Sequence, residues 1–279
     1  MKTVDTVQIY RAVKQLAAHC AVTVNPDAVR LLKNALKTET DPNAKFALEV
    51  IIKNHQLAAD KNMPACQDTG MALVFLQVGQ DVRLAGEYVN DAIDRAVAEA
   101  YAENFLRKSV AHPLTRMNTN TNAPAVVHTE IVPGGNVTVS FMAKGFGCEN
   151  MSRLFMLTPA DGAEGIKNAV AQAVRDADGK PCPPLIVGVG IGGTAEKAML
   201  LSKKALLREA GKPSGDPAAA KLEKEMLALI NKTGAGVQGF GGCNTALAVA
   251  AEIFPTHIAG LPVAVTIQCH AARHGTVVI

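Results

Sequence analysis

The sequence predicts an α/β (mixed α+β) protein, with an all-helical N-terminal region over residues 1–62 and an α/β domain over 63–279. Three observations lead there. From about Val4 to Asn62, apolar residues recur at helical spacing with few β-branched runs. At Met63 the character changes, and a turn-rich ACQDTG is followed by the apolar run MALVFLQVG. Further on, PLIVGVGIGG joins a buried strand to a Gly-rich turn and then to a helical pattern, TAEKAMLLSKKALL.

The N-terminal region divides into three helices. AVRLLKNALK and NAKFALEVIIKNHQLAAD are both amphipathic, and Asp41-Pro42 is a helix start with proline in the first turn. MALVFLQVG is a buried strand, and residues 85–104 follow as a helix. The stretch 107–122, rich in Asn and Thr, is a long loop without periodicity. APAVVHTEIV and NVTVSFMAK are strands, and Pro133-Gly134-Gly135 between them signals a hairpin. KGFGCENMS is a Gly-rich loop and DGAEGIKNAVAQAVRDA a helix. Thr194 caps the helix after the 185–193 strand and turn, and another helix starts at Asp216-Pro217. The tail alternates a Gly-rich loop (GAGVQGFGG), an apolar segment (TALAVAAEIF) and a strand (LPVAVTIQC).

With 279 residues, 48% of them hydrophobic, there is material for a substantial core; aromatics are only 4%, so it is built of Ala, Val, Leu and Ile. The net charge of +3 is small and the Lys and Arg are scattered, which argues against a nucleic-acid partner. No apolar run is long enough to span a membrane and the first residues have no signal-peptide pattern, so a cytoplasmic location is expected.

Gly188-x-Gly190-x-x-Gly193 follows a strand and precedes a helix, as a dinucleotide fingerprint would. Two prolines stand just before the strand, and GKPSGD lies where a second strand ending in an acidic residue is required. A tight strand–helix turn is the stronger reading, and dinucleotide binding is the alternative from a different functional class.

The six cysteines, Cys20, Cys66, Cys148, Cys182, Cys243 and Cys269, form no CxxC pair. In a chain of this size without a secretory pattern, metal or cluster ligation is a better reading than disulfides. A lone Cys is usually a small core residue. Cys66 instead sits in a polar turn, Cys182 between prolines, and Cys269 at the end of an apolar strand. Three thiolates at loop edges are soft ligands suited to an iron–sulfur cluster.

CQDTG after a helical region, LRKS, KGFG followed by EN, CPP before LIVGVGIGG, and PTHIAGLPVAVTIQC occur in this order. Together they resemble the class I fumarate hydratases, a family that also includes L-tartrate dehydratase. The likeness runs from about Met63 to the C-terminus and corresponds to the α subunit of the two-subunit enzymes.

The resemblance implies a [4Fe-4S] cluster on Cys66, Cys182 and Cys269. It implies that Gln67, Arg107 and Gly147 bind a dicarboxylate substrate, and that Asp68 and His257 serve as acid/base residues. In this sequence His257 stands in PTHI, without the flanking Arg and Gly of the family pattern. Cys20, Cys148 and Cys243 stay outside the ligand set, and His270, Arg273 and His274 are weaker candidates, the last two for facing an anion. A β subunit is implied to complete the site, in an α2β2 assembly, and to bring the base that takes a proton from carbon. The expected reaction is reversible hydration of fumarate to L-malate; the alternative is dehydration of L-tartrate or another C4 or C5 2-hydroxy diacid.

Overall fold

In the computed structural model, which describes residues 2–279, the N-terminal helical pattern becomes α1 (Thr6–Val22), α2 (Pro26–Thr38) and α3 (Pro42–Lys61). A short strand, β1 (Lys2–Asp5), precedes them and departs from the all-helical expectation. Asp5 ends this strand and starts α1 with a capping box: its side chain accepts from the Val7 N–H at 2.9 Å, while Gln8 accepts from the Asp5 N–H. Asp41 caps α3, accepting from the N–H groups of Asn43 and Ala44 at 2.9 Å each, with Pro42 in the first turn.

The remaining elements are β2 (Met71–Gly79), β3 (Val82–Ala85), α4 (Val89–Glu103), β4 (Val126–Val132), β5 (Val137–Lys144), the single turn α5 (Phe146–Glu149), β6 (Arg153–Leu157), α6 (Gly162–Ala177), β7 (Leu185–Gly192), α7 (Ala195–Ala205), α8 (Pro217–Ile230), β8 (Ala246–Phe254), β9 (Leu261–Gln268) and β10 (His274–Val278). Two units interleave along the chain. The first comprises Met1–Asn25, His55–Phe146 and Arg273–Ile279; the second comprises Pro26–Asn54 and Gly147–Ala272.

In the first unit four strands are ordered β10-β5-β2-β4. Helices α1 and α4 cover the sheet, with Ile9, Val13 and Leu16 of α1 and Ile93, Val97 and Ala100 of α4 packed against Val74, Leu76, Val139 and Phe141. The predicted hairpin does not form. β4 runs parallel to β2, β5 runs antiparallel to it, and β2 lies between them. The Pro133-Gly134-Gly135 segment instead arches over the end of β2: Gly79 donates to the Asn136 carbonyl at 2.8 Å, and Asp81 to that of Gly134 at 3.0 Å. The physical reason is that β2, buried over Ala72–Leu76, needs a backbone partner on both edges.

In the second unit the order is β6-β9-β7-β8, with β7 parallel to β8 and antiparallel to β9. Every residue of β7 is buried. Leu185, Val187, Val189 and Ile191 join Val170 and Val174 of α6 and Met226 and Ile230 of α8 in one core. The alternate positions, Gly188 and Gly190, face α7: a Cβ would lie 2.1 Å from the Ser202 carbonyl oxygen at the first and 2.0 Å from that of Ala198 at the second. The sheet is thus sandwiched between helices, and two glycines let one of them seat directly on the strand. Among the described residues, no helix is long and apolar enough to cross a membrane.

Candidate active site

In the first unit, the turn carrying Cys66, Gln67 and Asp68 leads out of α3 into β2. Its backbone is fastened from three directions. The Thr69 hydroxyl donates to the Arg107 carbonyl at 2.6 Å. The Tyr101 hydroxyl, from α4, lies 2.8 Å from the Thr69 carbonyl and 2.9 Å from that of Gly70. Asn122, fully buried, donates to the Gly70 carbonyl at 3.1 Å and accepts from the Ser109 N–H at 2.7 Å. Burial pushes the Tyr101 phenol up to about 12, so it remains a donor. Thr69 and Gly70 are buried, whereas Cys66 and Asp68 are half-buried and Gln67 and Arg107 exposed. The fold anchors the backbone and leaves the side chains of Cys66, Gln67 and Asp68 partly or fully exposed, with Arg107 brought to the turn through its own carbonyl.

Asp68 is an acceptor at both oxygens. Its Oδ1 takes the Gly70 N–H at 3.0 Å and its Oδ2 the Phe146 N–H at 2.8 Å. This second bond ties the turn to the start of the Gly-rich loop. The Gly70 bond is local turn chemistry, whereas the Phe146 bond spans 78 positions and leaves no trace in residue spacing.

In the second unit, Cys182 and Cys269 lie at the same end of the two inner strands of the sheet. Gln268, the last residue of β9, is opposite Ile186 near the start of β7, so Cys269 leaves the sheet where the Cys182 segment enters it. Cys182 is exposed and has a left-handed backbone, φ 56°, which is uncommon for a residue with a side chain. Gln238 clamps the next residue: its backbone N–H and side-chain Nε2 both donate to the Pro183 carbonyl, at 2.9 and 2.7 Å. Gly147 adjoins the same segment, since a Cβ there would lie 3.6 Å from the Lys180 carbonyl oxygen, and the Cys148 thiol donates to the Pro181 carbonyl at 3.4 Å.

Sequence reading missed the support for this loop. Glu39, 2% exposed, accepts from the N–H groups of Thr40, Asp41 and Cys243 and from Asn244 Nδ2. Burial raises its carboxyl, but the Asn244 and backbone donors outweigh it and hold the group low, at about 2. A Cβ at Gly242, where φ is +91°, would lie 2.6 Å from Glu39 Oε1, so the loop closes tightly over the carboxylate. Cys243 therefore serves a structural end: burial and the Glu39 charge push its thiol upward.

His257 occupies the exposed turn between β8 and β9, its Nδ1 accepting the Ala259 N–H at 3.2 Å. Cys269 leaves the far end of β9, an eight-residue strand, so about 26 Å of extended chain separates the two ends of that strand. The structure brings together Cys182, Cys269 and Gly147, and keeps His257 away from both thiols. Next to His257 is the Gly192–Gly193 turn, with the Thr256 hydroxyl donating to the Gly193 carbonyl at 2.9 Å. Gly188 and Gly190 are spent on packing α7, which removes the backbone approach that a dinucleotide fingerprint requires.

The thiols fit an iron–sulfur cluster in kind. All six cysteines are unbridged: Cys66, Cys182 and Cys269 are exposed or half-buried, Cys20 and Cys148 are buried, and Cys243 is exposed but has its backbone N–H on Glu39. Burial drives the Cys20 thiol up to about 12, which disfavours the thiolate a cluster needs. Among the described residues no three His, Cys, Asp or Glu side chains are gathered as for a single metal ion. A cube of irons takes each thiolate on a different metal atom, a wider arrangement than one ion demands.

The model of the fumarate hydratase (Fumerase) family matches residues 10–278. A Methanocaldococcus jannaschii protein that carries L(+)-tartrate dehydratase subunit alpha as a provisional designation is 42% identical over 273 residues, 95% of each chain. The L(+)-tartrate dehydratase subunit alpha of Escherichia coli strain K12 is 34% identical over 257 residues, 91% of this chain and 84% of its own. That of strain UTI89 is 35% identical over 254 residues, 90% and 84% of the two chains. With nearly its whole length matched, the chain belongs to the fumarate hydratase (Fumerase) family of hydro-lyases.

Proposed function

We propose that this chain is the α subunit of an iron–sulfur hydro-lyase that adds or removes water on a C4 2-hydroxy dicarboxylate, with a β subunit completing the site. The observation that carries the reading is the 66–70 turn, whose backbone is locked by Thr69, Tyr101 and Asn122 while Cys66, Gln67 and Asp68 stay accessible. Rigid support under exposed polar side chains is what a preorganised site needs.

In this proposal Cys66, Cys182 and Cys269 hold a [4Fe-4S] cluster. When bound, a cluster with three protein ligands supplies a Lewis-acidic iron for a hydroxyl. Arg107 binds a substrate carboxylate through its planar fork. Gln67 offers amide donors and Gly147 a backbone N–H to the charge that grows on a carboxylate as the neighbouring carbon loses its proton. Asp68 exchanges the proton of the departing hydroxyl. His257 was the sequence's other candidate for this step; its distance along β9 from Cys269 favours Asp68 alone. The group that takes the proton from carbon is assigned to the β subunit.

Two substrates fit. The motif texture supports fumarate and L-malate, whereas the names of the relatives support L-tartrate with equal force. Anaerobic assay of the complex on malate, fumarate, L-tartrate, mesaconate and citramalate separates them. Turnover of malate and fumarate, or of L-tartrate, is expected; a complex with an intact cluster and no turnover of any member would sink the proposal.

A further inference from the structure

Arg273, in the first unit, is 2% exposed, and its Nε and Nη1 have no hydrogen-bond partner among the described residues. A guanidinium keeps its proton in proteins. A full positive charge is therefore buried with two donors unanswered, an arrangement that opposes folding. An apolar side chain of similar volume would pack as well at lower cost, so the charge calls for another explanation.

Its surroundings supply one. Burial drives the thiol of Cys20 up to about 12 and the imidazole of His55 down to about 4, and the positive charge of Arg273 lowers both. Both groups are consequently uncharged beside it at neutral pH. The carboxylate that faces Arg273 is Asp68. A Cβ on Gly145 would come within 3.2 Å of Asp68 Oδ2 and 3.7 Å of Arg273 Nη2, so the two charges look onto one point that only glycine leaves open. Tyr101, which fastens the Asp68 turn, feels Arg273 and Asp68 with opposite sign.

We propose that Arg273 is a positioning residue for Asp68: from behind Gly145, its buried guanidinium holds the Asp68 carboxylate in the orientation that accepts the Gly70 and Phe146 N–H groups. The proposal rests on the reading of Asp68 as the proton-exchanging group. Arg273 touches neither bond directly; its charge balances a carboxylate pinned by two backbone donors, and so fixes where the remaining lone pairs point.

Amide hydrogen exchange on the full chain tests this without any cofactor. Arg273→Met should raise exchange at Gly70 and Phe146 by about tenfold or more, with α1 amides from Ile9 to Ala17 unchanged. Arg273→Lys should restore most of the protection, because it keeps the charge. In an Asp68→Asn background, Arg273→Met should add nothing at these two amides. If Arg273→Met does not fold, Arg273→Gln provides the neutral arm. Unchanged exchange at Gly70 and Phe146 in the neutral variant overturns the proposal, as does a uniform rise through α1 and α4. In the assembled enzyme, Arg273→Lys should lower kcat less than Arg273→Gln, with KM held within threefold. Full turnover by Asp68→Asn would remove the role of Asp68 itself and leave the exchange result standing.

Discussion

The first unit fastens its turn with side chains drawn from distant elements: Tyr101 from α4, Thr69 reaching to Arg107, and Asn122 from the long Asn/Thr-rich loop. The second unit holds Cys182 through a relay of backbone and loop contacts, in which Glu39 closes the loop at Gly242–Asn244 and Gln238 of that loop clamps Pro183. In one unit the anchors are neutral hydroxyl and amide groups; in the other a buried carboxylate, Glu39, closes the loop from which Gln238 holds Pro183. The difference teaches that two loops with the same task of presenting side chains can be built to respond to different perturbations.

The largest effect is expected in the second unit and at neither anchor. Gly190→Ala drives a methyl group into the α7 backbone at the Ala198 carbonyl, 2.0 Å away. A loss of about 3 kcal/mol or more is expected in denaturant unfolding, since a helix must lift off the sheet. Exchange protection in β7 and α7 should fall, and that of α1 and α4 should hold. Equal loss in both units would erase the distinction.

Tyr101→Phe tests the first unit. The carbonyls of Thr69 and Gly70 lose the one hydroxyl proton they share, and Gly70 keeps Asn122 as donor. About 2 kcal/mol of destabilisation is expected, centred on the 66–70 turn. A change within about 0.5 kcal/mol would show that Asn122 and Thr69 suffice.

Acid should separate the units by order, the mildest of the three tests. His55, in the first unit, has its imidazole lowered from 6.5 to about 4, first by burial and then by Arg273. Its folded form binds protons less readily than the unfolded chain, so its contribution is complete above about 6.5 and lost as pH falls toward about 4. Glu39 is held at about 2 against an ordinary 4.5, so its contribution is present above about 4.5 and lost as pH falls toward about 2. Unit-resolved exchange from pH 7 to pH 4 should show the first unit loosening before the second. Glu39→Gln should weaken the 236–244 loop at neutral pH, and the reverse order of loosening would contradict both assignments.

Local pattern made much of the fold legible. The β2 and β7 runs, the helices at Asp41-Pro42 and Asp216-Pro217, and the strand at LPVAVTIQC follow from periodicity and capping, which act over a few residues. Asp216 does cap α8, accepting from Ala218 and Ala219. Thr194 takes the cap position of α7 without a side-chain cap bond; its hydroxyl donates to Glu196 instead. Pairing was not legible: β4 and β5 flank a turn that reads as a hairpin, yet β2 separates them, because strand order is set by which edges remain unfilled. TALAVAAEIF carried no decisive period, and only its parallel seat beside β7 makes it β8. Among the candidate site residues, Cys66 and Cys182 stand out in the sequence because their polar or proline-rich context is odd for a cysteine. Glu39, Asn122 and Gln238 do not, since an ordinary residue that bonds a backbone 50 to 200 positions away leaves no local trace.

The most direct test concerns the three thiols. The chain with its β subunit, prepared without oxygen, should show the optical and reduced-state EPR spectra of a [4Fe-4S] cluster. Cys66→Ser, Cys182→Ser and Cys269→Ser should each abolish or strongly deplete those spectra, and Cys20→Ser should leave them intact. A folded, active complex with no cluster spectrum, or one whose cluster survives all three substitutions, would contradict the assignment.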